Sequence, residues 1–271
     1  MRLAVFLSLV IGAAVAILFS VFPRWDVTIS ALFWDAASRS FHVSGLDWSK
    51  SVRTLANVLP WVFAGPAFAA IILKLIWPHR RMILPARACV LLAVTMALGP
   101  GLIVNGLLKE HWGRPRPVHL DTFAGQDTFM PWYAYGGACP SNCSFVSGEG
   151  SLGFWLLAPA SLLPPPYRGP AMIAAAAFGT LAGGLRIAFG GHFFTDVVFS
   201  AVLTVLLIAV VRLLLFDRVR APSDQSVESG IGRIGTALHR LARTLWRWTA
   251  TGVRHLVAGV RAHLPRRRPG L

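Results

Sequence analysis

Four short stretches of this chain place chemically active residue types where such residues are costly, inside or at the ends of long apolar runs. Lys109 is followed by Glu-His-Trp-Gly-Arg-Pro and then Arg116-Pro117. Ser147-Gly148-Glu149 opens an apolar run, and Arg186 lies near the end of the next one. His192 and Asp196 open a third run, four residues apart and therefore on one helical face. A histidine oriented by a carboxylate is a nucleophile or a base. Cations, a hydroxyl and the free amides of a helix start together make an oxyanion cradle. Phosphate chemistry suits this combination.

The elements that must position these residues are membrane spans. The 271 residues are 55% hydrophobic and only 14% charged, with a mean hydropathy of +0.60. A soluble domain carries about 25% charged residues, so soluble-enzyme classes are excluded. The same apolar content excludes disorder of the body of the chain. Three cysteines exclude a disulfide scaffold. The net charge of +15 does not indicate a nucleic-acid partner, because most excess arginine flanks apolar segments or lies in one tail.

A span needs about 20 apolar residues. Six are expected, over 3–22, 58–77, 84–108, 148–163, 171–189 and 194–216. The first is an uncleaved anchor: its run is longer than the roughly 7–15 residues of a signal-peptide core and ends in Val-Phe-Pro-Arg rather than at a small-residue cleavage site. Basic residues beside short loops set orientation. Arg2, Pro78-His79-Arg80-Arg81, Arg168 and the tail after Phe216 put both termini in the cytoplasm. The four basic residues of the 24–57 loop pull weakly the other way, accompanied by Asp26, Asp35 and Asp47. In this topology spans three and five end on the outer side and spans four and six begin there, so all four clusters reach one membrane face. Trp25, Trp61, Trp77, Trp112 and Trp132 fall near span ends, as an aromatic belt requires. A short interfacial helix is expected over 27–33.

The tail, 217–271, begins polar and then repeats arginine every seven residues, at Arg233, Arg240, Arg247, Arg254 and Arg261, with Ile234, Leu241 and Trp248 in step. Seven residues keep groups on nearly one helical face, drifting about 20° per heptad. With no comparable acidic face, an amphipathic helix on an anionic leaflet fits better than a coiled coil, and Arg266-Arg267-Arg268 adds to the attraction.

The pattern Lys109-x6-Arg116-Pro117, Ser147-Gly148, Arg186-x5-His192-x3-Asp196 resembles the three-part signature of the type 2 phosphatidic acid phosphatase superfamily, which includes lipid phosphate phosphatases and vanadium haloperoxidases. The resemblance covers residues 58–216. The Asp26-x-x-Ile-Ser-x-Leu-Phe-x-Asp35 segment and the Cys-x3-Cys-Ser-Phe-x-Ser-Gly-Glu run are similar to lipid A phosphatase-like bacterial members. By this resemblance, Lys109, Arg116 and Arg186 bind phosphoryl oxygens with Ser147 and the Gly148 amide. His192 attacks phosphorus to form a phosphohistidine, Asp196 holds its imidazole, and water releases phosphate. It implies no metal and no cofactor, and the chain has no clustered carboxylate or Cys/His set to hold one.

One position departs from the family. Where it usually places a histidine that protonates the leaving oxygen, this chain has Glu149. A carboxylic acid serves if its pKa lies near working pH; the alternative is a structural partner for an arginine. Arg114, held extended before a proline, is a further candidate for substrate contact. Asn105 is expected to hydrogen-bond between helices, and His111 and His119 are loop residues. Cys139 and Cys143 form a possible disulfide in an oxidising periplasm, and Cys89 is a packing residue.

The expectation is an all-α polytopic bundle of six transmembrane helices with an outward-facing site, in two regions: a membrane phosphatase domain, 1–216, and a basic cytoplasmic tail. The activity expected is hydrolysis of a phosphorylated membrane lipid at the periplasmic face of a bacterial inner membrane. Lipid A phosphate is favoured, with undecaprenyl diphosphate and phosphatidylglycerophosphate as rivals, because the signature reads phosphate and not the rest of the lipid. A catalytically silent lipid-phosphate scaffold is the alternative of another class. A channel or transporter is disfavoured, since the polar groups gather at one face.

Overall fold

The computed structural model describes residues 1–263, with side chains through Thr249. Among the described residues nine helices carry the architecture: α1 (Arg2–Val21), α2 (Trp25–Ala31), α3 (Asp47–Ile76), α4 (Ala86–His111), α5 (Gly148–Trp155), α6 (Leu157–Ser161), α7 (Pro165–Ala188), α8 (Phe194–Arg212) and α9 (Asp224–His263). A two-residue hairpin, β1 (Trp34–Asp35) with β2 (Ser40–Phe41), pairs Trp34 with Phe41. Five helices among the described residues are long and apolar enough to span a bilayer: α1, α3, α4, α7 and α8, the last continued to Asp217.

The segment expected as a fourth span is instead two short helices of 8 and 5 residues. They still carry the chain across the bundle alongside α8, from the Asp196 carbonyl, which accepts the Ser147 N–H, to Arg212, whose guanidinium donates to the Ser161 carbonyl. Their length is not set by lipid, because they form the centre of the bundle. Trp155 and Ala158 are fully buried, and α5 packs against α3, α7 and α8. Buried polar atoms here are paired between helices, as a dry interior demands: Trp155 Nε1 donates to Thr95 Oγ1 at 2.9 Å, and the Ser151 and Thr204 hydroxyls lie 2.9 Å apart.

Several boundaries differ from expectation for local reasons. α3 begins at Asp47, more than two turns before the apolar run, because Asp47 suits a first turn and Ser49 caps back onto the Val43 and Leu46 carbonyls. Trp61 therefore stands mid-helix rather than at an interface. The short helix expected over 27–33 lies at Trp25–Ala31, two residues earlier. Over Ala97–Leu108 α4 widens into π-type turns around Pro100, which has no N–H to donate. There the Asn105 amide donates to the Pro100 carbonyl at 2.7 Å, within its own helix rather than between helices. Cys89 is buried in α4.

α9 starts by docking on the turn between α3 and α4. Glu228 Oε1 accepts from Lys74 Nζ and from the Met82 N–H, each at 2.9 Å, and Asp224 accepts from the Arg87 N–H at 3.0 Å. From Ala237 to Thr249 every side chain is exposed, including Leu238, Leu241, Leu245, Trp246 and Trp248 beside Arg240, Arg243 and Arg247. The side chains of Arg254 and Arg261, and all of Arg266-Arg267-Arg268, lie outside the described residues.

Candidate active site

The ends of α4 and α7 and the starts of α5 and α8 meet at one end of the bundle, so the four clusters of the sequence converge. The 109–146 loop folds back to join them: Cys143 N–H donates to the Lys109 carbonyl at 2.8 Å, Ser144 N–H to that of Arg114 at 2.8 Å, and Cys139 N–H to that of Gly113 at 3.2 Å. Cys139 and Cys143 are disulfide-bonded within this return, their Cα atoms 5.8 Å apart.

The cations surround the start of α5. A Cβ at Gly148 would come within 2.9 Å of both Lys109 Nζ and Asn105 Oδ1, so the bare backbone lets the ammonium sit on the helix start. Ser147 caps α5, its Oγ accepting the Gly150 N–H at 3.1 Å, and its own N–H bonds to the Asp196 carbonyl at 3.2 Å. The cap leaves the first-turn N–H groups of Gly148 and Glu149 without intrahelical acceptors. Arg116 is steadied by Asn142, donating to its carbonyl at 2.7 and 3.1 Å and to its Oδ1 at 2.7 Å. The Arg186 guanidinium fills the space where Gly191 has no side chain. Its Nε is buried with no hydrogen-bond partner, which a phosphoryl oxygen would satisfy.

His192 is fully buried beside these charges. Its Nδ1 lies 2.7 Å from the Ser144 carbonyl, which can only accept, so Nδ1 carries the proton and Nε2 carries the lone pair. Burial foremost, then the Arg186, Lys109 and Arg116 cations, holds the imidazole well below its ordinary pKa. A neutral imidazole is what nucleophilic attack needs.

The expected direct hold of Asp196 on the imidazole is not what the geometry provides. Asp196 Oδ2 stands 3.9 Å from Nδ1. It accepts instead from the Ser144 hydroxyl at 2.5 Å and from the Phe193 N–H at 2.8 Å, capping α8. Asp196 thus acts on the histidine through Ser144 and the helix start. Asp196 Oδ1 pairs with Arg114, the further candidate for substrate contact. Arg114 is fully buried and does not face a substrate. Its guanidinium donates to Asp196 Oδ1 at 2.5 Å, Thr195 Oγ1 at 2.9 Å, Asp26 Oδ2 at 2.8 Å and the Met130 carbonyl at 2.9 Å. Asp26 also takes the Thr195 N–H and hydroxyl, at 3.1 and 2.7 Å. Burial raises the Asp26 pKa, with Arg114 pulling the other way.

Glu149 faces the cations. Arg53 of α3 grips it with Nη2–Oε1 at 2.7 Å and Nε–Oε2 at 3.1 Å, while Arg186 Nε lies 3.5 Å from Oε1. Arg53, Ser144 and Asp26 are residues the sequence did not single out. Arg53 counted only as a loop charge, because α3 extends beyond its apolar run. Ser144 and Asp26 lay within the segments that resembled bacterial members, yet nothing in spacing marked them for contact with residues 48 and 169 positions away.

A helical membrane bundle with a basic cradle beside a neutral, oriented histidine defines a membrane-embedded phosphatase, a hydrolase of phosphoric esters. Residues 86–220 match the family model of the PAP2 superfamily. The chain is 34% identical over 219 residues to a lipid A 4'-phosphatase of Francisella tularensis subsp. novicida (strain U112), spanning 80% of this chain and 98% of that protein. It is 33% identical over 199 residues to a lipid A 4'-phosphatase of Rhizobium leguminosarum (68% and 84% covered) and 35% identical over 197 residues to one of Rhizobium etli (68% and 76%). The chain belongs to the PAP2 superfamily. No solved structure matches it.

Proposed function

We propose that this chain removes the 4'-phosphate of lipid A, working at the periplasmic face of a bacterial inner membrane with both termini in the cytoplasm. The observation that carries the chemistry is the fully buried His192, its Nδ1–H on the Ser144 carbonyl and its imidazole under the influence of the Arg186, Lys109 and Arg116 cations. The substrate reading rests on the relatives named lipid A 4'-phosphatase. The orientation rests on the arginines at the other end of the bundle: Arg80, Arg81, Arg168 and those of α9. The basic α9 would lie against the anionic leaflet on that side.

In the reaction, Lys109, Arg116, Arg186, the Ser147 hydroxyl and the first-turn amides of α5 hold the phosphoryl oxygens. Nε2 of His192 bonds to phosphorus as the sugar–oxygen bond to phosphorus breaks. Water then attacks the phosphohistidine, releasing inorganic phosphate and restoring neutral His192. Positioning and charge stabilisation supply most of the rate, as in phosphoryl transfer generally. An ionised carboxylate offers acceptors only, and both Glu149 oxygens accept from Arg53, with the Arg186 cation 3.5 Å away. That pairing supports its alternative role as the arginines' partner, with water protonating the leaving oxygen.

The test is phosphate release by purified protein in detergent with EDTA, comparing wild type with His192→Ala on lipid A, undecaprenyl diphosphate and phosphatidylglycerophosphate. Release from lipid A by wild type alone is expected. Preference for another lipid would overturn the substrate, equal release by both proteins the nucleophile, and no release on any lipid would favour a silent lipid-phosphate binder.

A further inference from the structure

We propose that the α3–α4 turn and the first half of α9 form a binding site for an anionic phospholipid, at the end of the bundle opposite the phosphatase site. Two adjoining cavities shape it. One, of about 440 Å³, is a groove along the last turns of α3, lined by Pro66, Ala69, Ala70, Leu73 and Leu84. The other, of about 370 Å³, is lined by His79, Thr236, His239 and Arg243. Trp77 and Arg80 line both and join them. Each lies within the roughly 300–1,000 Å³ typical of ligand sites.

The two compartments differ in chemistry as the two parts of a phospholipid do. The groove is apolar along α3, with Lys74, Arg80 and Arg81 where it meets the turn, and from residue 66 to residue 77 it is about 17 Å long at 1.5 Å per residue, so it suits an acyl chain. The second cavity gathers two guanidiniums and two imidazoles, and among the described residues no carboxylate lies in its lining or pairs with Arg80 or Arg243. Arginine forks and imidazole N–H groups match phosphate oxygens. Arg80 stacks 5.8 Å over the Trp77 ring, at the level where a tryptophan at a span end meets head groups.

The frame is built rather than incidental. Glu228 is committed to Lys74 and the Met82 N–H, and Lys74 also donates to the Arg80 carbonyl at 2.6 Å, which fixes the turn. α9 crosses the turn in near-backbone contact: a Cβ at Gly235 would come within 2.7 Å of the Leu75 carbonyl. Thr236, His239 and Arg243 follow that crossing by up to two turns and are carried over the end of α3. Ile83, 96% exposed, lines the groove and offers an acyl chain further apolar surface.

The test is intact-complex mass spectrometry of the full chain, counting phosphatidylglycerol retained after detergent exchange. Lys109→Ala/Arg186→Ala serves as the background, so that the phosphatase site contributes nothing. Adding Arg80→Ala/Arg243→Ala should weaken retention by roughly fivefold for each arginine removed. Arg80→Lys/Arg243→Lys should keep most of it. Both arginines are exposed, so the fold should survive. Ala69→Trp, which obstructs the groove and leaves the charges in place, should weaken retention as well. Unchanged retention in the alanine pair or in Ala69→Trp overturns the site. Equal retention of phosphatidylcholine overturns its anionic character, and displacement by inorganic phosphate in excess would show a free-anion site instead.

Discussion

Arg53 and Glu149, 96 residues apart in sequence, form a bidentate pair in which Nη2 lies 2.7 Å from Oε1 and Nε 3.1 Å from Oε2. The pair ties the start of α3 to the start of α5, beside the helix amides that face the phosphate. The carboxylate also lies 3.5 Å from Arg186 Nε. Two guanidiniums are thus held in register by one side chain.

If Glu149 aligns these arginines, Glu149→Gln should lower kcat/KM by roughly tenfold to a hundredfold, as misplaced groups do. The loss should be the same on a lipid substrate and on p-nitrophenyl phosphate, whose leaving oxygen needs no proton. A double-mutant cycle with Arg53→Ala should give a coupling energy of about 0.5–3 kcal/mol. A loss confined to the poor leaving group would restore Glu149 as the general acid.

The buried, cation-flanked His192 sets the pH dependence. Its folded pKa lies well below the ordinary value of about 6.5, so the free enzyme keeps a neutral nucleophile into acid. The limb of kcat/KM belonging to this histidine should therefore fall below pH 6.5; a limb at or above that value contradicts the burial argument. Stability follows the same sign. In acid the unfolded chain binds a proton that folded His192 refuses, so stability drops as pH falls through about 6.5 and below.

Arg114 is predicted to matter for folding rather than for substrate. Arg114→Ala leaves Asp26 and Asp196 buried without their shared partner, a change that costs about 3–5 kcal/mol in comparable buried pairs. Thermal unfolding in detergent should show a large drop. Arg114→Lys should not rescue it, since a single ammonium nitrogen cannot reach the four acceptors that the guanidinium reaches through three. A variant that keeps its melting temperature but binds phosphate weakly would return Arg114 to the substrate.

Gly191→Ala should disable the site without unfolding the bundle. The added methyl meets the Arg186 guanidinium, which has to move. A shift of about 1 Å is worth roughly a hundredfold in rate. Steady-state kinetics beside the elution profile of the variant would separate this from misfolding.

The membrane class, the helical fold and the convergence of the main clusters were legible in the sequence, for physical reasons. Long apolar runs with few charges have one stable solution in lipid. Alternation of spans then carries Lys109, Ser147, Arg186 and His192 to one end whatever the packing. Spacing of four suggested one helical face for His192 and Asp196, but α8 starts at Phe194 and His192 lies in the turn before it. The imidazole bonds to Ser144, 48 residues away.

What the chain alone determined, then, is what depends on hydropathy and local period: which segments enter the membrane, which end of the bundle is charged, and which residue types gather there. Only the tertiary structure decided the partners. Helix α5 stops after two turns and α6 completes the crossing, because neighbouring helices bury both and no lipid sets their length. Arg114 turns inward because Asp26 and Asp196 wait there, from segments 88 and 82 residues distant. Glu149 meets Arg53 because α3 runs on past its apolar stretch. Such pairings are matters of distance and direction between side chains far apart in sequence, and no local pattern encodes them.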